Sequence, residues 1–571
     1  MDTVDLARRR DPRRKREEVT LMIDLTEDQM LGMARIAGLH IPDEDVVPLT
    51  LRLNALLEAS EALDQFPLED VLALPTLPHP SALPVQQRDA RGAPRLATET
   101  DAPLAYKPIT ELAHLIRTGH LSPVELTDLY LERIGQYDGA LQAYITVVPE
   151  RARREAHEAE RALTQGAELG PLHGIPLAYK DEFFTKGVRT TCGSLILSEF
   201  VPDYDATAVA KLHEAGAVML GKLNMTEWAT PLTLKFPYGQ PCNPWNVEHD
   251  AGGSSTGSGS ATAAALCAGA LGEDTGGSIR RPAAHNSCVG LRPSWGRVSM
   301  YGVIPAVWSQ DTAGPLTRTV ADCTLLMNVI AGYDPHDPLS ARLPVPDYTA
   351  VLDGDIRGMR VGVVKETLEA GHLHPEVKAA VAEALRRFEG LGATVEEVSI
   401  PTMTLSGVVS GAGGSDRTAL QWKHLRQSAD HYDAAARRFN LLPGLLPAAL
   451  YQRALQLRSL LRGQMLHACE RYDVLVSPYQ ATPPPRIHDT KKPLASKQQA
   501  LEELRHFSFS TAASFAGIPA ISIPCGFTRD ALPIGLQIMA KRFDEASIFR
   551  AAHAYEQDTP WHTMRPPVGN P

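Results

Sequence analysis

Short apolar runs alternate with amphipathic segments along most of the chain after residue 105. Apolar residues at helical spacing predict helices at 109–120 and 123–137, and a charged run predicts a solvated helix at 150–165. Apolar runs predict strands at 175–179, 217–220, 359–364, 395–398, 474–477, 520–523 and 534–539. This alternation is typical of α/β proteins. We therefore expect a mixed or mostly parallel β-sheet that is covered by helices on both faces.

The first hundred residues follow a different pattern. A charge run without apolar periodicity predicts a disordered basic tail at 1–20. Amphipathic spacing predicts a small helical segment at 21–68, with its second helix at 43–62. Six prolines and little periodicity predict an extended linker at 69–104. The main α/β domain therefore spans 105–571.

Composition narrows the class of protein. The 571 residues are 44% hydrophobic and 22% charged, which is ordinary for a globular protein. The net charge of −11 argues against nucleic-acid binding, and no apolar run approaches the roughly 20 residues of a membrane span. Seven cysteines without CxxC pairs argue against a disulfide framework and a structural zinc site, and indicate a cytoplasmic protein. We expect a small-molecule substrate, no nucleic acid and no membrane partner, with a homodimer as an open alternative.

The most distinctive stretch is 251–282, in which two Gly/Ser turns flank an Ala-rich run. The Ala-rich run at 261–271 predicts a buried helix, and the turns carry Ser254 and Ser278. Acyl transfer needs a hydroxyl nucleophile beside N–H groups that stabilise an oxyanion, and glycine-rich turns leave such N–H groups free. Lys180 ends a predicted strand, where burial lowers the pKa of a lysine and makes it a usable base.

Other interpretations of this stretch stay open on residue types alone, because each serine is also typical of an ordinary turn. Residues 253–257 match the G-x-S-x-G nucleophile elbow, but the polar residues 246–250 do not predict the strand that precedes such an elbow. The phosphate-binding pattern G-x-x-x-x-G-K-[ST] is absent. We also expect Asp274 and Arg280 to form a buried ion pair, and Ser255 to hold the loop by hydrogen bonds.

Several longer motifs occur together. They are GIPLAYKD (174–181), GKLNMTEWA (221–229), NPWN (243–246), GGSSTGS (252–258), DTGGSIRRPA (274–283), GPLTRTVADC (314–323) and AGIPAISIPCGF (516–527). This set closely resembles the amidase signature family over about residues 105–565. The resemblance implies the amidase signature fold, a large twisted mixed β-sheet with helices on both faces, and an enzyme that cleaves amide C–N bonds.

The resemblance also implies roles for individual residues. Lys180 is the base, Ser254 the bridging serine after a cis peptide bond, and Ser278 the nucleophile that forms an acyl-enzyme. The oxyanion hole consists of the backbone N–H groups of Thr275, Gly276, Gly277 and Ser278. The expected substrate contacts are Trp228, Ala229 and Arg281. No metal ion and no cofactor are expected.

The N-terminal segment at 21–68 resembles the small C subunit of bacterial tRNA-dependent amidotransferases, which implies a helical clamp fused in cis. Two functions follow, of which the preferred one is an amidase that hydrolyses a small carboxamide, anilide, carbamate or urea-like substrate. The alternative is a glutaminase, an amidotransferase A-type subunit that delivers ammonia to a partner. The loop GGSSTGSGSATAAA departs from the usual GGSSGGSAAA, which argues against the alternative. A scaffold without activity is disfavoured because all three triad positions are present.

Overall fold

A large β-sheet forms the centre of the molecule. The computed structural model describes residues 24–68, 71–74, 100–506 and 509–568. The strands in these ranges are β1 (Tyr144–Val147), β2 (Pro176–Lys180), β3 (Val218–Leu223), β4 (Cys242–Asn243), β5 (Asn246–Asp250), β6 (Gly269–Glu273), β7 (Val289–Arg292), β8 (Ala313–Thr317), β9 (Arg360–Val364), β10 (Thr394–Val398), β11 (Val474–Pro478), β12 (Ala520–Phe527) and β13 (Pro533–Met539). Eleven of them form one sheet in the order β1-β3-β2-β6-β8-β7-β12-β13-β11-β9-β10, and β4 pairs with β5.

The large sheet is mixed, as expected. Strand β2 runs parallel to β3 and β6, and β9 runs parallel to β10 and β11, whereas the other neighbours are antiparallel. Alternate residues of a strand point to opposite faces. In β11, Val474 and Val476 belong to the larger hydrophobic core and Leu475 to a second one. Both faces of the sheet are therefore buried at β11, whereas the edge strand β10 is largely exposed.

Helices cover these two faces. Those of the described residues are α1 (Glu27–Ile36), α2 (Asp43–Ser60), α3 (Ile109–Arg117), α4 (Pro123–Leu141), α5 (Pro149–Thr164), α6 (Thr207–Glu214), α7 (Thr256–Ala263), α8 (Arg280–Asn286), α9 (Val320–Ile330), α10 (Lys365–Leu368), α11 (Pro375–Gly390), α12 (Ser406–Ala412), α13 (Ser415–Leu420), α14 (Trp422–Gln427), α15 (Ala434–Leu441), α16 (Ala448–Arg471), α17 (Ile487–Thr490), α18 (Lys497–His506), α19 (Thr511–Ala516) and α20 (Glu545–Gln557). The three helices predicted after residue 105 correspond to α3, α4 and α5.

All seven predicted strands are present, but the apolar pattern does not predict β1, β6, β7 and β8. Three of these contain glycine, and β8 also contains proline, residues with low β propensity. Their glycines permit close packing: a Cβ at Gly290 would lie 2.7 Å from the Cβ of Ala283 in α8. Strand formation in β6, β7 and β8 depends on what packs against the sheet, which local sequence does not reveal, whereas β1 (YITV) consists of good strand formers.

The Ala-rich run at 261–271 is not one helix, so that prediction is wrong. Helix α7 begins inside the Gly/Ser loop, and the end of the run forms β6. A Cβ at Gly257 would lie 2.1 Å from the carbonyl oxygen of Ala143, so this helix packs against backbone in a way that only glycine allows. The polar residues 246–250, for which no strand is predicted, form β5 in the separate two-stranded pair.

The N-terminal segment consists of α1 and α2 and packs on the main domain. Thr26 caps α1 in a capping box with Gln29. The buried Asp45 of α2 accepts from Arg437 and Arg438 of the main domain, each at 2.5 Å. Apolar side chains of both helices share a hydrophobic cluster with residues of the main domain. The segment is therefore anchored by a buried ion cluster as well as by apolar contacts.

The predicted basic tail at 1–20 lies outside the described residues, as does most of the predicted linker at 69–104. A described piece of that linker, 71–74, lies against α16, where the Val71 carbonyl accepts a hydrogen bond from Gln456 at 3.0 Å. Within the ranges that the structure describes, the helices are too short or too polar to cross a membrane. All seven cysteines are free thiols.

Candidate active site

Lys180 and Ser254 meet at the end of β2. Lys180 is 0% exposed, and its Nζ donates a hydrogen bond to Ser254 Oγ at 2.8 Å. The peptide bond between Gly253 and Ser254 is cis, as the resemblance implies. The two residues are 74 positions apart in the chain, and the parallel pairing of β2 with β6 places the Ser254 loop above the end of β2.

Ser278 lies in the turn that follows β6 and is connected to the same loop. Its carbonyl oxygen accepts a hydrogen bond from the Ser255 N–H at 3.2 Å. Ser255 also bonds to the backbone of Glu273 through its hydroxyl, so it holds the loop as expected. Ser278 is half-buried whereas Ser254 is fully buried, which leaves Ser278 the more accessible hydroxyl. In the described part of the chain, no hydrogen bond joins these two hydroxyls.

The turn from Asp274 to Ser278 is shaped by a buried ion cluster. Arg280 contacts both carboxylate oxygens of Asp274 at 3.0 Å, which confirms the predicted ion pair, and Arg292 joins them at 3.2 Å. Although burial raises the pKa of Asp274, the two guanidinium groups hold it well below its usual range. Asp274 therefore stays ionised and organises the backbone of the turn.

One of the four expected oxyanion donors is already engaged. The Gly277 N–H donates to Asp274 Oδ1 at 2.8 Å, so it points into the turn. Among the described hydrogen bonds, the N–H groups of Thr275, Gly276 and Ser278 have no acceptor. Three donors of the predicted oxyanion hole are therefore free for a ligand, while Gly277 supports the turn.

The amino group of Lys180 also faces two glutamates that sequence reasoning missed. Glu182 Oε1 lies 2.9 Å and Glu273 Oε2 lies 3.3 Å from Lys180 Nζ. Burial lowers the pKa of Lys180, as expected, but its carboxyl neighbours, Glu182 foremost, outweigh burial, so that its pKa is raised. The expectation of a lowered pKa is therefore wrong. The available signal was an acidic residue at or near each of two strand ends, since Glu273 ends β6 and Glu182 lies two positions after the end of β2.

Trp228 and Ala229, which are predicted to contact the substrate, form a strained turn beside this site. Both have φ of 53°, in the left-handed region that side chains rarely adopt. The Trp228 N–H donates to the Cys192 carbonyl at 3.0 Å, and the Trp228 carbonyl accepts from Arg417 at 3.0 Å. These bonds hold the turn in place. Trp228 lines a cavity of about 240 Å³, whose other apolar walls include Phe184, Leu197, Phe200 and Ile304.

Arg281, the third predicted substrate contact, lies on the opposite flank of the turn. Its N–H donates to the Gly277 carbonyl at 2.7 Å, and its side chain is half-buried. Burial raises the pKa of the neighbouring Asp250, but His285 and Arg281 lower it to about 2. The Arg281 guanidinium group therefore acts on Asp250, beside the oxyanion turn. In the described ranges, no group of three or more His, Cys, Asp or Glu side chains is arranged to hold a metal ion.

Comparisons with known proteins match this architecture. A family model described as Amidase matches residues 125–549. The A-type subunit of glutamyl-tRNA(Gln) amidotransferase from Geobacter sp. (strain M21) is 41% identical over 488 residues, which cover 81% of this chain and 99% of that protein.

Solved structures are similar over comparable lengths. A vestigial protein complex that reveals the evolutionary origins of an s-triazine catabolic enzyme has a TM-score of 0.73 at 31% identity, covering 79% of this chain and 98% of that chain. Native peptide amidase from Stenotrophomonas maltophilia has a TM-score of 0.68 at 32% identity, covering 82% of this chain and 100% of that chain.

The fold and these comparisons define an enzyme that acts on carbon–nitrogen bonds. More specifically, the chain belongs to the amidase signature family. The roles of Lys180, Ser254 and Ser278 in catalysis stay predictions, because the comparisons do not test individual residues.

The relatives correct the expectation about partners. The exclusion of nucleic acid is wrong, because the Geobacter relative is named for glutamyl-tRNA(Gln). The same name describes that relative as one subunit of a larger assembly. It therefore gives no support to the alternative of a homodimer. The net charge of −11 misled the prediction because bulk charge says nothing about the acceptor of a transferred group.

Proposed function

We propose that this chain hydrolyses the side-chain amide of glutamine by nucleophilic catalysis at Ser278, as an amidotransferase A-type subunit that delivers ammonia to a partner. The observation that carries the proposal is the 41% identity with the A-type component of an amidotransferase along 99% of that protein's length. The resemblance of the N-terminal segment to a C subunit supports the same class. The proposal replaces the preference for a small-amide hydrolase.

The Lys180–Ser254 hydrogen bond supports a proton relay. In the proposed reaction, neutral Lys180 accepts the proton of Ser254, Ser254 accepts the proton of Ser278, and the Ser278 oxygen attacks the amide carbon. This transfer requires the Ser278 hydroxyl to come within hydrogen-bonding distance of Ser254. The free N–H groups of the turn stabilise the oxyanion. The relayed proton then passes to the amide nitrogen, the C–N bond breaks, ammonia departs, and water hydrolyses the ester on Ser278.

Arg281 is the proposed partner of the glutamine α-carboxylate. Its half-buried guanidinium group lies next to the turn that carries Ser278, and arginine binds carboxylates through two parallel hydrogen bonds. Arg280 is unsuitable for this role because its guanidinium group already forms an ion pair with Asp274. We expect Arg281→Gln to raise the KM for glutamine more than it lowers kcat, since the contact is to a part of the substrate that does not react.

A second candidate is a free-standing amidase for small carboxamides, anilides, carbamates or ureas. The cavity of about 240 Å³ beside Trp228 favours it, because its aromatic and aliphatic walls suit an apolar acyl group. The similarity to peptide amidase from Stenotrophomonas maltophilia points the same way.

One experiment separates these candidates. Ammonia release is measured from glutamine with the chain alone, with candidate partner subunits, and with glutamyl-tRNA present, beside a panel of anilides, carbamates and ureas. Glutamine turnover that increases with a partner supports the amidotransferase assignment. If anilides, carbamates or ureas are hydrolysed and glutamine releases no ammonia under any condition, the amidotransferase assignment is rejected in favour of the second candidate. Ser278→Ala is the matched control in every arm, and full activity of that variant rejects the mechanism for both.

A further inference from the structure

The environment of Lys180 is unusual for a lysine that must act in its neutral form. Glu182 and Glu273 both contact its amino group, and all three side chains are buried. A nearby carboxylate stabilises the ammonium form of a lysine and so opposes proton loss. Two such groups beside a base therefore need an explanation, and the two are not equivalent.

The number of hydrogen-bond donors and acceptors around Glu273 indicates that its carboxyl group carries a proton. Thr275 Oγ1 lies 2.8 Å from Glu273 Oε1 and 2.8 Å from Asp311 Oδ1. A hydroxyl donates only one proton, so one of the two carboxyl groups must donate its own. Asp311 already accepts hydrogen bonds from the N–H groups of Ala306 and Val307, so its oxygens are occupied as acceptors and the donated proton is assigned to Glu273. Burial accordingly raises the pKa of Glu273 well above its usual range.

Glu182 has a different environment. Neither of its carboxyl oxygens accepts a conventional hydrogen bond within the described part of the chain, and its contact is the ion pair with Lys180. Burial raises the pKa of Glu182, and Lys180 counteracts only part of that rise. The two groups are buried away from solvent. Opposite charges interact more strongly in the protein interior than in water. Glu182 is thus the negative charge to which Lys180 responds.

The other titratable groups around Lys180 are engaged or uncharged. Asp181 lies 3.5 Å from Lys222, and burial keeps the Cys192 thiol neutral by raising its pKa well above its usual range. Arg417 donates to a backbone carbonyl and contributes positive charge, and Asp311 is held by backbone N–H groups. None of these replaces Glu182 as the close anion.

We propose that Glu182 and Glu273 are positioning residues for Lys180 with separate tasks. Glu182 is the charged partner that sets the pH at which Lys180 releases its proton, whereas Glu273 is a neutral carboxylic acid that holds the amino group against Ser254. This inference rests on the proposed function, in which Lys180 is the base for Ser278.

The test is the pH dependence of Ser278 labelling by a fluorophosphonate, which needs no knowledge of the substrate. The rate should rise with pH as Lys180 loses its proton. In Glu182→Gln, the midpoint should move to lower pH by at least about one unit, a tenfold change in proton affinity. In Glu273→Gln, the midpoint should stay within about 0.3 units, because an amide replaces a neutral acid of the same shape.

Other outcomes overturn the proposal or its parts. An unchanged or higher midpoint in Glu182→Gln overturns the role of Glu182, and equal shifts in both variants overturn the neutral state of Glu273. If Glu182→Gln does not fold, Glu182→Asp moves the charge away by one methylene, and an unchanged midpoint there is equally decisive. Lys180→Met and Ser278→Ala separate a failure of the proposed function from a failure of the glutamate proposal. Normal labelling of either variant rejects the proposed function. If neither variant is labelled, the glutamate variants test the glutamate proposal alone.

Discussion

Two lysines lie on neighbouring strands of the central sheet, and both are 0% exposed. Lys180 ends β2, and Lys222 lies on β3 opposite Tyr179. Burial lowers the pKa of both, yet the net effect is opposite: the pKa of Lys180 is raised and that of Lys222 is lowered. Burial alone therefore does not decide how a lysine in this sheet behaves.

The difference lies in what each amino group contacts. Lys222 donates to the Phe183 carbonyl at 2.6 Å and to Thr190 Oγ1 at 2.7 Å, with Asp181 at 3.5 Å. These mostly neutral acceptors tie β3 to the loop after β2, which is a structural role. Lys180 instead contacts carboxyl groups and the hydroxyl of Ser254. Only Lys180 has a partner through which a proton can leave towards a second serine.

The largest effect is expected from Lys180→Met. Removal of a general base costs about 100-fold to 10,000-fold in rate, so amide hydrolysis and fluorophosphonate labelling should fall by that factor. The melting temperature should change little, because Glu182 can take up a proton in the variant and Glu273 already carries one. Retention of more than a tenth of the activity would contradict the comparison.

Lys222→Met should give the reverse result. Loss of one partner from a buried ion pair costs about 3–5 kcal/mol, which urea unfolding measures as a lower midpoint. Activity per folded molecule should stay within about tenfold of the parent, since Lys222 does not contact Ser254. A loss of activity as large as that of Lys180→Met, in folded protein, would show that the two lysines are not functionally distinct.

Asp45→Ala extends the comparison to the N-terminal segment. Asp45 is buried between Arg437 and Arg438, so its removal should cost on the order of 3 kcal/mol. The matched control is Asp64→Ala, whose ion pair with Arg453 is exposed and should contribute about 0–1 kcal/mol. Urea unfolding of both variants measures the difference, and equal losses would contradict a buried anchor.

A pH-dependent stability is expected from Glu556, a buried carboxyl group beside which the described residues place no cation. Burial raises its pKa to about 8, while a hydrogen bond from the Val320 N–H lowers it. The folded state therefore binds a proton that the unfolded state releases near pH 4.5, so this contribution to stability is lost as pH rises towards 8.

Glu556→Gln should remove that pH dependence. The melting temperature of the variant relative to the parent should rise between pH 5 and pH 8. Glu132→Gln, an exposed substitution in α4, serves as the control and should give a constant difference. If the melting temperatures of Glu556→Gln and the parent change in parallel with pH, the raised pKa assigned to Glu556 is wrong.

Elements with a strong local pattern were predictable from the sequence. Strands such as β9 and β11 are rich in valine and leucine, and α4 has regular helical spacing, so that these elements follow from the local sequence. Strand β6 was not predictable, because its glycines and alanine become a strand only between β2 and β8. The same holds for β5 and for the true start of α7.

The sequence by itself determined the family and the candidate site residues, since both depend on the order and spacing of motifs around Lys180, Ser254 and Ser278. Only the tertiary structure decided which groups surround them. Glu182 is two positions from Lys180, but Glu273 is 93 positions away and reaches it because β2 pairs with β6. The protonation of a buried lysine depends on such contacts, and contacts between distant residues depend on strand register and packing, which no local pattern encodes.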